Sequence, residues 1–474
     1  ILLRLSDALA SAGRGADAAA TFIEAADGAD KATRLECYRR AAEQWLTTGH
    51  IDRGLDTLRE LMSQIGARYP ATPRRAMLSV LGTRALLRLR GLRWRERDAS
   101  ELGREHLTRV DLFRSVGQGI GMVDNIRGAA FQARGLLMAL RAGEPKRIGM
   151  ALALESIFLA SQGHKRLGRS RKLIAVTAQL AENDDYLAAW CVSAEGAYHY
   201  FDGRFAEAAK TLHRALELWS TQPAGNTWEK NNVSVFRMLA LRFLGWADEI
   251  HRLASELTRY ARRRGDRYLE TTIRQLSTVA WLCHDKVNMA RASLAAARWV
   301  PPEGRFHLQH WYRAEAESEV KLYEGRAAEA IEETRQTFES LRSSLLTRVE
   351  TVRVMSRWLE GRLHLAAAAD DPSLVPATER IVKRIAREKV RYARGFEAVL
   401  RGGIAELRGD REAAIALYRS AADWGMDLAA AVAGRRAAQL AGDAAELAVA
   451  ELALSRLGVV DPDRIARVFA VRTD

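Results

Sequence analysis

Gly203-Arg204-Phe205-Ala206-Glu207-Ala208 is a phrase this chain uses four times. Gly13-Arg14-Gly15-Ala16-Asp17-Ala18, Gly325-Arg326-Ala327-Ala328-Glu329-Ala330 and Gly409-Asp410-Arg411-Glu412-Ala413-Ala414 follow the same plan. Glycine ends a helix because it enters the left-handed conformation without steric penalty, and the small residue beyond it lets a second helix fold back against the first. Each copy therefore predicts the tight turn of an antiparallel helix hairpin. Five, nine and twelve residues after the glycine, the second helix should bury a small, a bulky and a small residue. These are Ala18, Phe22 and Ala25 in one copy, Ala208, Leu212 and Ala215 in another, and Ala414, Tyr418 and Ala421 in a third. Seven residues before the turn, where the two helices cross most closely, stand Gly196 and Gly402.

Turn points at 163, 203, 245, 325 and 409, with weaker ones near 285 and 367, recur about every 40 to 42 residues. Small residues at the crossings with an aromatic between them resemble the tetratricopeptide repeat, here with helices about a turn longer than in its 34-residue form. The expected fold is all-α: a tetratricopeptide-like right-handed α-solenoid of antiparallel hairpins with a period of about 40 residues. The period fails in one stretch, which divides the chain into N-terminal hairpins (1–66), an Arg-rich and Gly-rich insert or joint (67–145) and a main array (146–474). Within the joint, Arg74 to Arg90 reads as a helix closed by Gly91. A loop of Arg and Trp follows, then one glycine-rich helix through Gly117, Gly119, Gly121, Gly128 and Gly135. At the start, Leu2, Leu3, Leu5, Ala8 and Leu9 follow a helical stripe, which predicts a chain that begins inside a helix and belongs to something longer.

Only nine prolines interrupt the 474 residues, and Ala, Leu, Arg and Glu fill the long stretches between them. The net charge is +14, and 63 of the 73 cations are Arg, a bias that fits a GC-rich genome as well as a polyanion partner. Residues 65–97 concentrate it, with nine Arg against Glu96 alone. The candidate basic patch is Arg84, Arg88, Arg90, Arg93, Arg95 and Arg97. Three readings compete there: a nucleic-acid surface, a dock for an acidic surface of another domain, and a solvated helix face. Trp94 is the only aromatic in the patch, where a nucleic-acid groove favours several stacking platforms. Cys37, Cys191 and Cys283 are odd in number and far apart, which argues against a disulfide framework and for a reducing compartment. The most apolar stretch, Ile148 to Gly163, carries Glu155 and is too short to span a bilayer, so a cytoplasmic protein without membrane contact is expected.

Constellations that could carry chemistry lack the context it needs. Gly117-Gln118-Gly119-Ile120-Gly121 follows a helical stripe of Leu107, Val110 and Phe113, where glycines serve close packing and not a phosphate turn. The chain has no Gly-Lys-Ser/Thr, no His-Arg-Asp and no Asp-Phe-Gly. His307 and His310 share a helix face but want further ligands, so capping near Pro301 and Pro302 is their expected role. Cys191 and Cys283, among apolar neighbours, read as buried small hydrophobes. No catalytic residue, cofactor or metal site is expected.

Several other stretches carry a wider resemblance. They are Asp124 to Arg147 with its Gly143-Glu144-Pro145 turn, Trp228-Glu229, Arg264-Gly265-Asp266 with Tyr268, and Phe306-His307-Leu308-Gln309-His310-Trp311-Tyr312. Together they resemble the C-terminal helical-repeat region of large bacterial proteins that also carry a serine/threonine protein kinase domain and an AAA-type ATPase domain. The resemblance implies a non-catalytic regulatory region, binding a protein partner or other domains of its parent. In such an array the first helices line a concave groove. Repeat alignment places Trp190, Tyr200 and Phe201 in it, together with Tyr312, Glu315, Glu319 and Tyr323. Aromatic side chains would supply buried area, and the acids would fix the register of a basic segment. Glu315 and Glu319, one turn apart, also fit an ordinary salt-bridged helix surface.

Overall fold

The computed structural model describes residues 1–121, 124–223, 226–297, 299 and 306–472. Among them the regular structure is helix alone, without a strand. The four turn phrases share one closure. The residue after each glycine donates its N–H to the carbonyl five positions back: Arg14 to Leu9 (2.9 Å), Arg204 to His199 (2.9 Å), Arg326 to Lys321 (2.8 Å) and Asp410 to Ala405 (2.9 Å). This bond satisfies a carbonyl that the helix end leaves open, and it needs a left-handed residue at the turn. Gly13, Gly203, Gly325 and Gly409 supply it, as does Gly245, whereas at Gly163 the backbone is extended in ψ (−174°) and the next N–H bonds elsewhere. At the weaker point near 285, Asp285 takes the left-handed conformation itself, with the same closure from Lys286 to Trp281 (2.8 Å).

The second helices bury what the spacing predicts. Ala208, Leu212 and Ala215 are inaccessible to solvent, and Ala414, Tyr418 and Ala421 nearly so. In the first copy Ala18 and Phe22 are buried, while Ala26 and not Ala25 completes the set. The crossing glycines are required by contact. A Cβ on Gly196 would lie 2.6 Å from Leu212 Cγ, and one on Gly402 would lie 2.7 Å from Tyr418 Cε1.

The joint differs from its reading in one respect. The helix Pro73–Arg90 and its Gly91 closure are present, but the glycine-rich run forms two helices, Arg104–Gly121 and Asn125–Ala142. Asp124 divides them by accepting from Arg127 N (3.0 Å), an N-cap that starts a new helix. The glycines do serve close packing: a Cβ on Gly128 would lie 2.5 Å from Gly121 Cα. The opening stripe is less buried than its period suggests. In the helix Leu2–Ser11 only Ser6 is fully buried, and Leu3 and Leu5 are exposed.

Contacts across long sequence separations decide where the interior lies. His164 N–H donates to Glu350 Oε2 across 186 residues, Trp246 Nε1 to Asp427 across 181, and Arg464 to Asp285 across 179. The chain thus returns to its own turns at a nearly constant interval. Gly245 marks one return, where a Cβ would stand 2.2 Å from Leu428 Cβ. The N-terminal hairpins are tied across a longer separation of 250 residues, Trp299 Nε1 donating to Gly49 O at 2.9 Å. Among the described residues no helix is long and apolar enough to cross a membrane.

Candidate functional site: an interior cavity

The helix Thr227–Leu244 sets one wall of a half-open cavity of about 290 Å³. Trp228, Asn232, Val235, Leu239 and Phe243 recur on one of its faces at helical spacing and all line the space. Several apolar side chains there, Phe236 and Leu239 among them, are only partly covered. Opposite stands the helix Leu308–Tyr323, which presents Tyr312, Glu315 and Glu319 at successive turns. The helices Asp185–Asp202 and Glu350–Ala367 complete the wall with Trp190, Tyr200 and Phe201, and with Met355, Trp358 and Arg362. Aromatic rings meet edge to face or stacked around it, as in Tyr200 with Phe236 (5.6 Å between centroids) and Trp358 with Phe396 (4.3 Å).

Charges are buried in this apolar setting. Arg242 donates to Glu315 Oε2 at 2.5 Å and to Glu319 Oε1 at 2.8 Å. Arg362 lies 3.3 Å from Glu319 Oε1, donates to Val468 O at 2.9 Å and stacks over Trp358. Burial raises the Glu315 carboxyl against the pull of Arg242, while burial lowers Arg362. Further along the cavity, Asp266 caps the next helix through Leu269 N (2.8 Å) and accepts from Asn231 (2.8 Å). Burial pushes it up to about 7, and Glu229 is raised for the same reason.

Six of the seven residues expected in a groove, Trp190, Tyr200, Phe201, Tyr312, Glu315 and Glu319, meet at this one cavity. All but Tyr312, which is half-buried, are buried. Glu315 and Glu319 are therefore not a salt-bridged helix surface. Tyr323 stands apart, fully buried, its hydroxyl donating to Asp285 (2.6 Å) beneath Arg464. Arg242, Arg362, Asp266 and Trp228 were not singled out for the site. One sequence signal existed: an arginine inside Leu239-Ala240-Leu241-Arg242-Phe243-Leu244 has no polar helix face to occupy and so calls for a buried partner.

Two of the six basic-patch arginines are engaged within the fold. Arg84 is engaged by buried Glu155 (2.8 Å), and Arg90 donates to Leu140 O (3.1 Å) and Arg93 O (2.7 Å). Arg88, Arg93, Arg95 and Arg97 are exposed. Arg84 and Arg88 also face a cleft of about 1490 Å³ with Lys165, Arg166 and Arg169. Burial and then the charge of Arg88 lower Arg169. Trp94 is half-buried against a hydrophobic cluster.

Residues noted for other chemistry take structural roles. His310 Nδ1 accepts from His307 N (3.0 Å), closing a helix start, while Pro301 and Pro302 lie outside the described residues. Burial pushes the thiols of Cys191 and Cys283 up to about 11 and about 12, as inert buried cysteines require. Within Asp124 to Arg147, Arg127 pins the Pro70 and Ala71 carbonyls (2.8 Å each), and Gly143 and Glu144 form a left-handed turn and a helix cap. The chain matches no protein-family model, no curated protein and no solved structure.

Proposed function

We propose that this chain is a non-catalytic sensor and scaffold region of a larger signalling protein, and that its cavity is where the signal binds. The carrying observation is convergence: six residues chosen by repeat position from two helices line one cavity together with buried charges. A volume near 290 Å³ suits a small molecule and is too small for a protein segment. The architecture behind this reading is a tetratricopeptide-like right-handed α-solenoid with a period of about 40 residues. Turns of positive φ at 163, 203, 245, 285, 325 and 409 support that period. Returns of the chain after 179 to 186 residues then correspond to a superhelical turn of roughly four to five repeats.

In this reading the ligand stiffens contacts between successive superhelical turns, and a partner or another domain of the same parent reads the change. The cleft holding Arg88, Lys165, Arg166 and Arg169 suits an acidic segment of that partner. A bacterial parent with serine/threonine kinase and ATPase domains rests on the resemblance of the quoted stretches alone, and so does a cytoplasmic setting. Exposed Arg88, Arg93, Arg95 and Arg97 favour nucleic-acid binding as a second reading.

A panel of small metabolites screened by thermal shift tests the sensor. A saturable rise in Tm that Leu239→Trp, which fills the cavity, abolishes is the expected result. A panel without a binder at millimolar concentration, or with binders indifferent to Leu239→Trp, would overturn it.

A further inference from the structure

The polar groups of the cavity are not balanced. Its charged lining consists of Glu229, Asp266, Glu315 and Glu319 against Arg242 and Arg362, with Arg114 acting on Glu229 and Arg264 on Asp266 from behind it. Both lining arginines are already committed, Arg242 to Glu315 and Glu319, and Arg362 to Glu319 and the Val468 carbonyl. Yet Glu315 Oε1 and Glu319 Oε2 are buried without a hydrogen-bond partner, on residues that are 1% and 5% exposed. Gln309, which also lines the space, leaves its Oε1 unpartnered while its amide donates to Thr272. Unpartnered donors occur as well, on Arg362 Nε and Trp190 Nε1, but they add no charge to offset the acids.

A buried acceptor without a donor is costly, and a buried carboxylate more so. Neither oxygen is open to the cavity as it stands, so a donor reaches it only when a side chain shifts, and water doing so would neither neutralise the acids nor cover the rings. A primary ammonium does both. It carries three donors and a full positive charge, and the rings of Tyr200, Tyr312 and Phe236 attract such a cation. An anionic ligand would meet the unpartnered oxygens of Glu315 and Glu319, and a neutral alcohol offers one donor.

We infer that the cavity binds a small organic ammonium ion with an aromatic or apolar body. Its charged end sits on Glu315 and Glu319, and its body lies against the Trp228–Phe243 face. The inference rests on the cavity being the sensing site, and adds the chemistry of what is sensed.

Three probes of one shape test it: phenethylammonium, 2-phenylethanol and phenylacetate, each titrated at about pH 8, above the Asp266 range, by calorimetry and tryptophan fluorescence. Phenethylammonium should bind saturably and about tenfold or more tighter than the alcohol, with phenylacetate weakest. Glu315→Gln should remove most of that preference and leave the alcohol unchanged, and Leu239→Trp should abolish binding of both. Equal affinity for ammonium and alcohol, tighter binding of phenylacetate, or ammonium binding untouched by Leu239→Trp would each overturn the inference. Should Glu315→Gln fail to fold, the wild-type preference and the Leu239→Trp result decide by themselves. Absence of binding by all three probes also overturns it. A Leu239-dependent binder of another charge in the wider panel would then leave the sensor reading standing.

Discussion

Arginine is put to opposite uses in two regions of this molecule. In the cavity, Arg242 and Arg362 are buried and held by carboxylates from other helices. On the helix Pro73–Arg90 and the loop beyond it, Arg88, Arg93, Arg95 and Arg97 face solvent, and beside them Leu78, Leu81 and Leu89 are exposed as well. Composition alone cannot separate the two sets, because the difference lies in what the fold brings opposite each guanidinium. A buried charge is tied to its partner by the cost of leaving that partner alone, whereas an exposed one contributes little to stability.

The sharpest break of this contrast is Arg242→Met. It strands Glu315 and Glu319 with Arg362 alone, and should cost about 3–5 kcal/mol in urea denaturation. Adding Glu315→Gln should recover part of the loss. A cost below about 1 kcal/mol would mean the pair is solvated.

Asp266 sharpens the comparison through pH. Its carboxyl is raised from 3.8 to about 7, so between those values the folded chain binds more protons than the unfolded chain. Its contribution is therefore fully present below the lower value and declines as pH rises through the higher one. Asp266→Asn keeps a helix cap and removes the titration. Relative to wild type, the variant should gain roughly 2–4 kcal/mol between pH 4 and 8, and parallel pH profiles would contradict this.

Two glycines give smaller effects of opposite sign. Gly196→Ala forces a Cβ against Leu212 and should cost about 1–3 kcal/mol, while Gly82 on the exposed helix has nothing within 4 Å. Gly82→Ala should stabilise by roughly 0.5–1 kcal/mol, as helix propensity alone dictates. Equal effects at both would remove the distinction between a crossing and a free surface. Smallest of all, Arg88→Gln with Arg93→Gln and Arg95→Gln should shift stability by no more than about 0.5 kcal/mol. If the nucleic-acid reading is right, the same triple variant loses a retention on DNA or RNA that weakens steeply with salt; absence of retention at low salt ends that reading.

Local chemistry made the hairpins legible. A left-handed glycine, its five-back closure and the small residues at Gly196 and Gly402 are all set by neighbours in one or two helices. The cavity was legible only in part. Repeat position brought out Tyr200, Phe201, Tyr312, Glu315 and Glu319, but it could not show that they line one shared cavity. That depends on Gly163 meeting Glu350 and Gly245 meeting Leu428, contacts between residues more than a hundred positions apart with no shared local pattern. The same limit hid the partners of Arg242 and made Glu315 and Glu319 resemble an ordinary acidic helix face. In the joint, a single Asp124 cap turned one expected helix into two.

Contacts between turns far apart in sequence hold the interior together, and amide hydrogen exchange measures this. Three amides close those seams: His164 to Glu350 Oε2, Glu350 to Ser161 O, and Val460 to Cys283 O. The account predicts that they exchange as slowly as amides in the centres of the buried helices, at rates set by global unfolding. Exchange as fast as in freely exposed turns would mean that the array is open, and would contradict it.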